Sequence, residues 1–424
     1  MAMTLAEKII ARAAGKESVS PGEVVTASVD LAMIHDSGGP RRVEPILQRL
    51  GVPLFDREKV VLISDHFVPG NDATSKDILE TTRRWARERD VTFYDGQGIC
   101  HVVLPERGHL KPGMFVVGGD SHSPTGGAFG AYMFGIGATE MAGVLATGEI
   151  WVRVPETILI EWTGKLGAGL TAKDIMLALC GRLGMDGGRY QAVQYAGEAV
   201  IALDMAERMT LANMAAELGA QTGLIAPDET TRDFIRAAGG EPGDANEWQS
   251  DPQGPVAEHH VFDANTLQPQ IAAPHSPANA ANVGDYPQTP IDVAYIGACT
   301  GAKYVDLRRA ADLLRGRTCA SGVKLLVAPA SQRDQARARD EGIMAIFEEA
   351  GATILPTACG ICAGYGTARL GEDITCLSST ARNFRGRMGA ASSNVYLGSP
   401  YSVAAAAITG HITDPRLLLA EGNA

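Results

Sequence analysis

Short apolar runs of strand length recur along the chain, and each is followed by a polar loop. These runs are rich in Val, Ile and Leu, and they end just before Asp65, Asp120, Cys299, Cys359 and Ser378. Helical patterns lie between and after them, such as Y-V-D-L-R-R-A-A-D-L-L and S-V-A-A-A-A-I-T. This alternation predicts α/β domains with largely parallel sheets.

One stretch, residues 241–290, breaks this alternation because it is rich in Pro, Ala, Asn and Gln. We expect an extended crossing between domains there. A chain of 424 residues is long enough for two or three domains, each with its own core. We predict three α/β units: residues 1–150, residues 151–285 ending in the crossing, and residues 286–424.

The polar clusters of the sequence all fall in loops that follow predicted strands. In parallel α/β sheets, ligands bind at the carboxyl ends of the strands, so one shared active site is expected. The 49 glycines add many positions where the backbone can turn tightly or approach a ligand.

Charge and hydropathy exclude some classes of protein. The formal net charge of -12 argues against a general nucleic-acid binder, which would carry a basic face. The N-terminal sequence lacks a charged start followed by an apolar core, and no apolar run approaches the roughly 18 residues of a membrane span. We therefore expect a cytoplasmic protein.

Cysteine spacing indicates a metal or redox site. Seven cysteines without a secretory signal disfavour a disulfide framework. Cys299 in C-T-G and the pair Cys359 and Cys362 in C-G-I-C each follow a predicted strand. Zinc would need a fourth ligand, and an iron-sulfur cluster with only three cysteines would leave one iron open.

Two other interpretations of these cysteines stay open. A thioredoxin-like dithiol is disfavoured because no helix clearly begins after the pair. Cys299 could also be a small buried residue, since free cysteine is often buried. The remaining cysteines are expected in the core: Cys100, Cys180, Cys319 and Cys376.

Three of the nine histidines fall in loops after strands, beside acidic residues. S-D-H-F contains Asp65 and His66, G-I-C-H contains His101, and G-G-D-S-H-S contains Asp120, Ser121 and His122. A carboxylate beside an imidazole fixes its tautomer and raises its basicity, which suits proton transfer near neutral pH. The alternative is that these polar residues only cap helices.

An arginine-rich loop follows the last of the predicted strands. S-S-T-A-R-N-F-R-G-R carries Arg382, Arg385 and Arg387, and arginine binds carboxylates or phosphates with two parallel hydrogen bonds. This favours a dianionic substrate over a merely solvated basic loop.

A helix is predicted over residues 207–220. Asn213 and Glu217 lie four residues apart, so they share a face of this helix. By itself this pattern is typical of the solvent-exposed face of a helix.

Taken in order, these motifs resemble the aconitase superfamily. The strings that carry the resemblance are M-I-H-D-S, D-H-F, G-I-C-H-V-V-L-P-E, G-D-S-H-S-P-T-G-G, R-M-T-L-A-N-M-A-A-E, C-T-G, C-G-I-C and R-N-F-R-G-R. Within that superfamily the chain is most similar to the large subunits of the 3-isopropylmalate dehydratase group. The resemblance implies a hydro-lyase for a small hydroxy dicarboxylate, with three α/β/α domains around a central cluster crevice.

The resemblance also implies roles for individual residues. Cys299, Cys359 and Cys362 would hold a 4Fe-4S cluster with one iron that no cysteine ligates. Three acid-histidine pairs would handle the leaving hydroxyl and the bound water: Asp65 with His66, Asp120 with His101, and Glu217 with His122. The remaining active-site positions would be substrate-binding: His35, Ser121, Asn213, Arg382 and Arg387.

The chain departs from the family pattern at two positions. Gly301 and Ala381 stand where relatives usually have Asn, so another malate-type acid is an alternative substrate: 2-methylmalate or its dehydration product citraconate, dimethylmalate or maleate. From the resemblance we also expect the mobile C-terminal swivel domain to be lacking, and a separate small subunit to supply its serine base and further arginines. Alternatives of other classes are a cluster-free regulatory or RNA-binding relative and a zinc-stabilised protein without catalysis.

Overall fold

The computed structural model describes residues 2–286 and 288–421. Its strands are β1 Val24–Ser28, β2 Leu31–His35, β3 Val60–Ser64, β4 Thr92–Asp95, β5 Phe115–Gly118, β6 Tyr132–Gly135, β7 Glu149–Arg153, β8 Thr157–Thr163, β9 Ala192–Ala196, β10 Thr222–Ile225, β11 Glu258–Asp263, β12 Gln270–Ala272, β13 Ala280–Asn282, β14 Val293–Ile296, β15 Lys324–Val327, β16 Thr353–Ile354, β17 Thr375–Ser378 and β18 Asn394–Leu397.

The α-helices alternate with these strands as predicted. They are α1 Leu5–Ala13, α2 Pro40–Leu50, α3 Ala73–Arg89, α4 Cys100–Glu106, α5 Ala138–Thr147, α6 Ala172–Leu183, α7 Glu198–Ile201, α8 Met205–Met214, α9 Glu229–Ala237, α10 Tyr304–Leu314, α11 Gln332–Asp340, α12 Ile343–Glu349, α13 Pro400–Thr409 and α14 Pro415–Glu421. In the described residues, no helix is both long and apolar enough to cross a membrane.

The first sheet is fully parallel, with strand order β4-β3-β2-β5-β6. Its strand β3 reads V-V-L-I-S and is buried along its whole length, as expected for a parallel strand covered on both faces. Because the strands run the same way, the loops after β2, β3 and β5 meet at one edge. A separate antiparallel ribbon pairs β1 with β7.

The second sheet is parallel as well, with order β10-β9-β8-β11. Helix α8 begins after Asp204, whose side chain accepts a hydrogen bond from the backbone N–H of Glu207. It ends at Met214 and continues as a 3₁₀ helix over Ala215–Leu218. The prediction of one helix over residues 207–220 is therefore wrong in its second half, where the backbone tightens into a 3₁₀ turn.

The third sheet has order β13-β12-β18-β17-β14-β15-β16. Five strands are parallel, and β12 and β13 add an antiparallel edge. The extended stretch 241–290 supplies β11 to the second sheet and β12 and β13 to the third. Pro287, within that stretch, lies outside the described residues. The predicted α/β class with largely parallel sheets is confirmed, while the domain boundaries stay a prediction.

The first and third sheets share one hydrophobic core. The backbone N–H of Ile99 donates to the carbonyl of Ala330 at 2.8 Å, and that of Gln332 donates to Gln97 at 2.9 Å. These contacts fix the loop before α4 against the loop before α11, so the two sheets present their carboxyl edges to one crevice.

Candidate active site

Loops from the first and third sheets converge on a narrow cavity of about 20 Å³. The side chains that line it include Asp65, His66, Cys100, His101, Asp120, His122, Cys299, Cys359, Cys362, Ala381 and Arg387. Segments more than 300 residues apart in sequence thus meet at one place, as the strand-end argument predicts.

Asp65 and His66 form a buried ion pair in the loop after β3. The His66 Nδ1 atom donates to Asp65 Oδ1 at 2.6 Å. The Asp36 carboxylate accepts the backbone N–H groups of His66 at 3.1 Å and of Phe67 at 2.9 Å, which fixes the turn of this loop. The second oxygen of Asp65 accepts the backbone N–H of Cys100 at 2.8 Å, so the imidazole is held from two segments.

Both members of this ion pair have strongly shifted pKa values. Burial lowers the pKa of His66, but the charge of Asp65, aided by Asp120 and Asp36, outweighs burial and raises it to about 10. Burial raises the pKa of Asp65, but the charge of His66 outweighs it and holds the pKa at about 2. At neutral pH the pair is therefore an imidazolium beside a carboxylate.

Asp120 joins two further histidines. Its Oδ1 atom accepts from His101 Nε2 at 2.8 Å and from the backbone N–H of His122 at 2.8 Å. Its other oxygen lies 3.9 Å from His66 Nε2. Burial raises the pKa of Asp120, but the hydrogen bond from His101 and the nearby imidazoles bring it well below its ordinary value. Asp120 is thus a carboxylate at the centre of the three imidazoles.

Glu217 lies on the 3₁₀ helix after α8 and contacts His122, one of the residues that line the cavity. Its Oε1 atom accepts from His122 Nε2 at 3.0 Å and from Arg382 Nε at 2.8 Å. Arg382 Nη1 also donates to Ser121 Oγ at 2.8 Å. Burial, followed by the charge of Arg382, lowers the pKa of His122 to about 4 against the opposing effect of Glu217. His122 is therefore neutral at neutral pH.

The ring of His35 packs against the ring of His66. The two rings stack with their centroids 4.4 Å apart. His35 Nδ1 accepts the backbone N–H of Ser37 at 3.2 Å, so its Nε2 atom donates to the carbonyl of Gly119 at 2.9 Å. Burial, then the charge of His66, lowers the pKa of His35. A neutral His35 leaves the positive charge on His66.

The three cysteines reach the cavity from the third sheet. Cys299 follows β14 after Ala298, whose φ of 70° is unusual for a residue with a side chain. Cys359 directly precedes a 3₁₀ helix over Gly360–Ala363, and Cys362 is the third residue of that helix. The backbone N–H of Cys359 donates to the carbonyl of Asp65 at 2.9 Å. The cysteine loop is therefore tied to the loop of the ion pair.

The two thiols of the pair share a negative charge. The hydrogen bond from Cys359 lowers the pKa of Cys362 to about 6, against burial, and the charges of Arg387 and Lys173 lower it further. A thiolate is the form of cysteine that ligates metal. Burial raises the pKa of Cys299 to about 12, so its thiolate requires a cationic partner.

Beside the three thiols the site contains polar atoms that a bound group could use. Two buried polar atoms beside the thiols, Asn213 Oδ1 and Arg387 Nε, have no hydrogen-bond partner in the described part of the chain. Such atoms are expected where a bound group completes the site.

Asn213 contacts the first cysteine directly. Its Nδ2 atom lies 3.2 Å from Cys299 Sγ and 2.8 Å from Thr125 Oγ1. The predicted face of Asn213 and Glu217 does turn toward the site, although one residue lies on α8 and the other on the 3₁₀ helix. Of the loop arginines, Arg382 and Arg387 reach the site, and Arg385 is exposed.

Sequence reasoning missed three residues at this site. Cys100, expected only in the core, lies in the cavity wall next to His101 in G-I-C-H, a position that could have been noticed. Asp36 could have been noticed beside His35. Lys173, whose ammonium group lies behind the cysteine and arginine loops, has no signal in its own neighbourhood.

The two departures from the family pattern have different surroundings. A Cβ atom on Gly301 would lie 2.3 Å from the side chain of Ser379, so the Ser379 hydroxyl takes the space of a side chain here. Ala381 is 2% exposed and its methyl group forms part of the cavity wall. The cavity is therefore less polar at residue 381 than an amide would make it.

Comparison with known proteins identifies the family. The Aconitase family (aconitate hydratase) model matches residues 7–410. The chain is 43% identical to the 3-isopropylmalate dehydratase large subunit 1 of Methanopyrus kandleri, over 98% of this chain and 99% of that protein. It is 41% identical to a probable methanogen homoaconitase large subunit of Methanothermobacter thermautotrophicus, over 98% of each chain.

Among solved structures, aconitase X from Thermococcus kodakaraensis aligns with 87% of this chain and 88% of its own, at 14% identity and a TM-score of 0.49. The resemblance that the motifs predict is confirmed by the family match and by the full-length relatives. This chain belongs to the aconitase family.

Proposed function

We propose that the chain is the large subunit of an iron-sulfur hydro-lyase that adds water to, or removes it from, a small hydroxy dicarboxylate of the 3-isopropylmalate type. The observation that carries this proposal is that three thiols, three histidines and Arg387 line one cavity. Each histidine has a carboxylate partner, and Arg382 is bound to one of these carboxylates, that of Glu217. The names of the full-length relatives agree with this activity.

Cys299, Cys359 and Cys362 would hold a 4Fe-4S cluster, the cofactor of the family, and leave one iron without a cysteine ligand. When bound, such a cluster supplies a Lewis acid beside the substrate hydroxyl. Asn213 would orient Cys299 through its contact with Sγ.

His66 is the proton donor in this scheme. Its pKa of about 10 keeps it protonated at neutral pH, and Asp65 and the stacked ring of His35 fix its direction. Its Nε2 proton faces the cavity and can pass to a departing hydroxyl group. His101 with Asp120 would continue the proton path toward the interior of the loop cluster.

Arg382 and Arg387 would bind the two carboxylates of the substrate. Arg382 is fixed by Glu217 and Ser121, and Arg387 lines the cavity with a free Nε atom. Guanidinium groups recognise carboxylates with paired hydrogen bonds, which orients the carbon that loses the hydroxyl.

His122 is neutral and would accept a hydrogen bond at Nδ1.

The base that removes the carbon-bound proton would come from a small subunit, because the described cavity offers no serine positioned for that step. Because Ala381 makes the cavity wall apolar, other substrates are alternatives, among them 2-methylmalate, dimethylmalate and maleate. A citrate homologue is a further candidate because of the homoaconitase relative.

The test is anaerobic reconstitution with iron and sulfide, followed by metal analysis and by assays of dicarboxylates with the cognate small subunit. The wild type should bind four iron and four sulfide per chain. Cys359→Ser should lose most of this content, and Cys319→Ser, outside the cavity, should keep it. Zinc without labile sulfide would overturn the cluster, and a full cluster with no turnover of any hydroxy dicarboxylate would overturn the activity.

A further inference from the structure

Lys173 is a buried ammonium group with neutral hydrogen-bond partners. It is the second residue of α6 and is 1% exposed. Its Nζ atom donates to Thr300 Oγ1 at 2.9 Å, to the carbonyl of Ser379 at 2.9 Å and to the carbonyl of Thr380 at 2.7 Å. All three protons are therefore used, and none of the three acceptors carries a charge.

Other buried cations in the chain have a carboxylate partner. Arg208, which is fully buried, binds Asp228 with two hydrogen bonds of 2.7 Å. Lys303 lies 3.1 Å from Asp306. Within residues 2–286 and 288–421, no ion pair joins Lys173 to a carboxylate. A buried charge without a counter-charge is unfavourable, so an anion is expected nearby.

Lys173 lies next to the cysteine site. Its partner Thr300 directly follows Cys299 in the sequence. The neighbouring carboxylate of Asp174 is turned away, since it accepts the backbone N–H groups of Thr171 at 2.8 Å and Gln270 at 2.9 Å. The anionic group expected near Lys173 is therefore the one that the cysteines would hold.

The acceptors of Lys173 belong to the two loops that carry site residues. Thr300 directly follows Cys299, and Thr380 lies two positions before Arg382. Thr300 Oγ1 also donates to the carbonyl of Ser379 at 3.1 Å, so the two loops are in contact with each other. Lys173 reaches them from α6, which packs with the second sheet, and ties both loops to that part of the chain.

We propose that Lys173 is a positioning residue for the cluster: its three hydrogen bonds set the spacing between the cysteine loop and the Arg382 loop, and its ammonium group places a buried positive charge next to the cysteine that holds the cluster. This inference rests on the proposed function to the extent that it requires an iron-sulfur cluster. A cluster with three thiolate ligands has a net negative charge, and reduction makes it more negative. A nearby positive charge therefore raises its reduction potential.

Two neutral variants separate the charge from the hydrogen bonds. Lys173→Gln can still donate to the carbonyl groups of Ser379 and Thr380, whereas Lys173→Met can donate none. Lys173→Arg keeps the charge. The control is Lys324→Met, an exposed lysine at the start of β15, away from the carboxyl edge of the sheet.

The measurements are circular dichroism of the apo-proteins, iron and sulfide content after reconstitution, and the midpoint potential of the cluster followed by electron paramagnetic resonance. We expect both neutral variants to fold and to show a more negative potential than the wild type, with Lys173→Met also retaining less iron. Lys173→Arg should return toward the wild-type potential, and Lys324→Met should match it.

Wild-type potential and iron content in both neutral variants would overturn the proposal. If neither neutral variant folds even without iron, Lys173 serves the fold and not the cluster, which also overturns it. A wild type that binds no cluster would be a failure of the proposed function. A wild type with a full cluster and insensitive variants would be a failure of this inference alone.

Discussion

Arg382 and Glu217 form an ion pair between the arginine loop of the third sheet and the 3₁₀ helix behind the second, with Nε 2.8 Å from Oε1. The same oxygen accepts the hydrogen bond from His122. One carboxylate therefore fixes both the guanidinium of Arg382 and the imidazole of His122. Glu217 is 1% exposed, so no water can replace it without rearrangement of the site.

Replacement of this carboxylate tests the pair. Glu217→Gln keeps the shape but loses the charge, so Arg382 and His122 should lose their fixed orientation. We expect turnover by the assembled enzyme to fall by about 10²-fold or more, with unchanged iron content. Steady-state kinetics on the reconstituted protein would measure this. Glu229→Gln, an exposed acid on α9, is the control, and equal activity in the two variants would contradict the assignment.

The close contact at Gly301 predicts a stability effect. In Gly301→Ala the new methyl group would lie 2.3 Å from Ser379 Cβ and Oγ, so the two loops must separate. We expect a loss of about 1–3 kcal/mol in the free energy of unfolding, measured by urea denaturation of the apo-protein.

The matched control for Gly301→Ala is Gly143→Ala in α5, where a Cβ atom would have no neighbour within 4 Å. It should be neutral or stabilise the protein by about 0.5–1 kcal/mol, because alanine favours the helix. A Gly301→Ala variant as stable as Gly143→Ala would show that Ser379 can move without cost.

The contribution of the contact between α4 and the third sheet to the free energy of unfolding should depend on pH. Ser331 Oγ donates to Glu106 Oε1 at 2.7 Å. Burial, then the charge of Asp334, raises the pKa of Glu106 to about 8. The folded state therefore binds a proton that the unfolded state releases near pH 4.5. The contribution of Glu106 to stability is full below that pH and is lost as the pH rises toward 8.

Glu106→Gln should remove this dependence. Its melting temperature should exceed that of the wild type at pH 8 and approach it near pH 4, because a neutral side chain has no proton to release. Thermal unfolding across this range would measure the difference. The control is Glu80→Gln, which replaces an exposed acid on α3 and should have the melting temperature of the wild type at every pH. A melting temperature of Glu106→Gln that changes with pH as the wild type's does would refute the prediction.

Loss of the carboxylate partner of the buried Arg208 should lower the stability of the protein. Asp228→Ala would leave its guanidinium without an anion and would also remove the cap of α9. We expect a loss of about 3 kcal/mol or more in the free energy of unfolding. The exposed acid Asp233 binds Arg236 on the same helix, and Asp233→Ala should leave stability unchanged. Similar denaturation midpoints for the two variants would argue against a stabilising role of the buried pair.

The sequence by itself determined the α/β class and the strand-end placement of the site. The run V-V-L-I-S became β3, and Y-V-D-L-R-R-A-A-D-L-L became α10 with those bounds. Because parallel strands place their following loops at one edge, Asp65 and Asp120 could be expected to meet. Cys299 joins them because the third sheet packs against the first. The ordered motifs also predicted the family, which the full-length relatives confirm.

The family resemblance paired Glu217 with His122, but only the tertiary structure shows that contact and adds Arg382 to it. Glu217 lies 95 positions from His122 and 165 from Arg382, and no local pattern links residues so far apart. The tightening of α8 into a 3₁₀ helix that places Glu217 depends on packing rather than on helix propensity. Lys173 reads as an ordinary surface residue near a helix start, because a lysine's burial depends on what the rest of the chain packs around it.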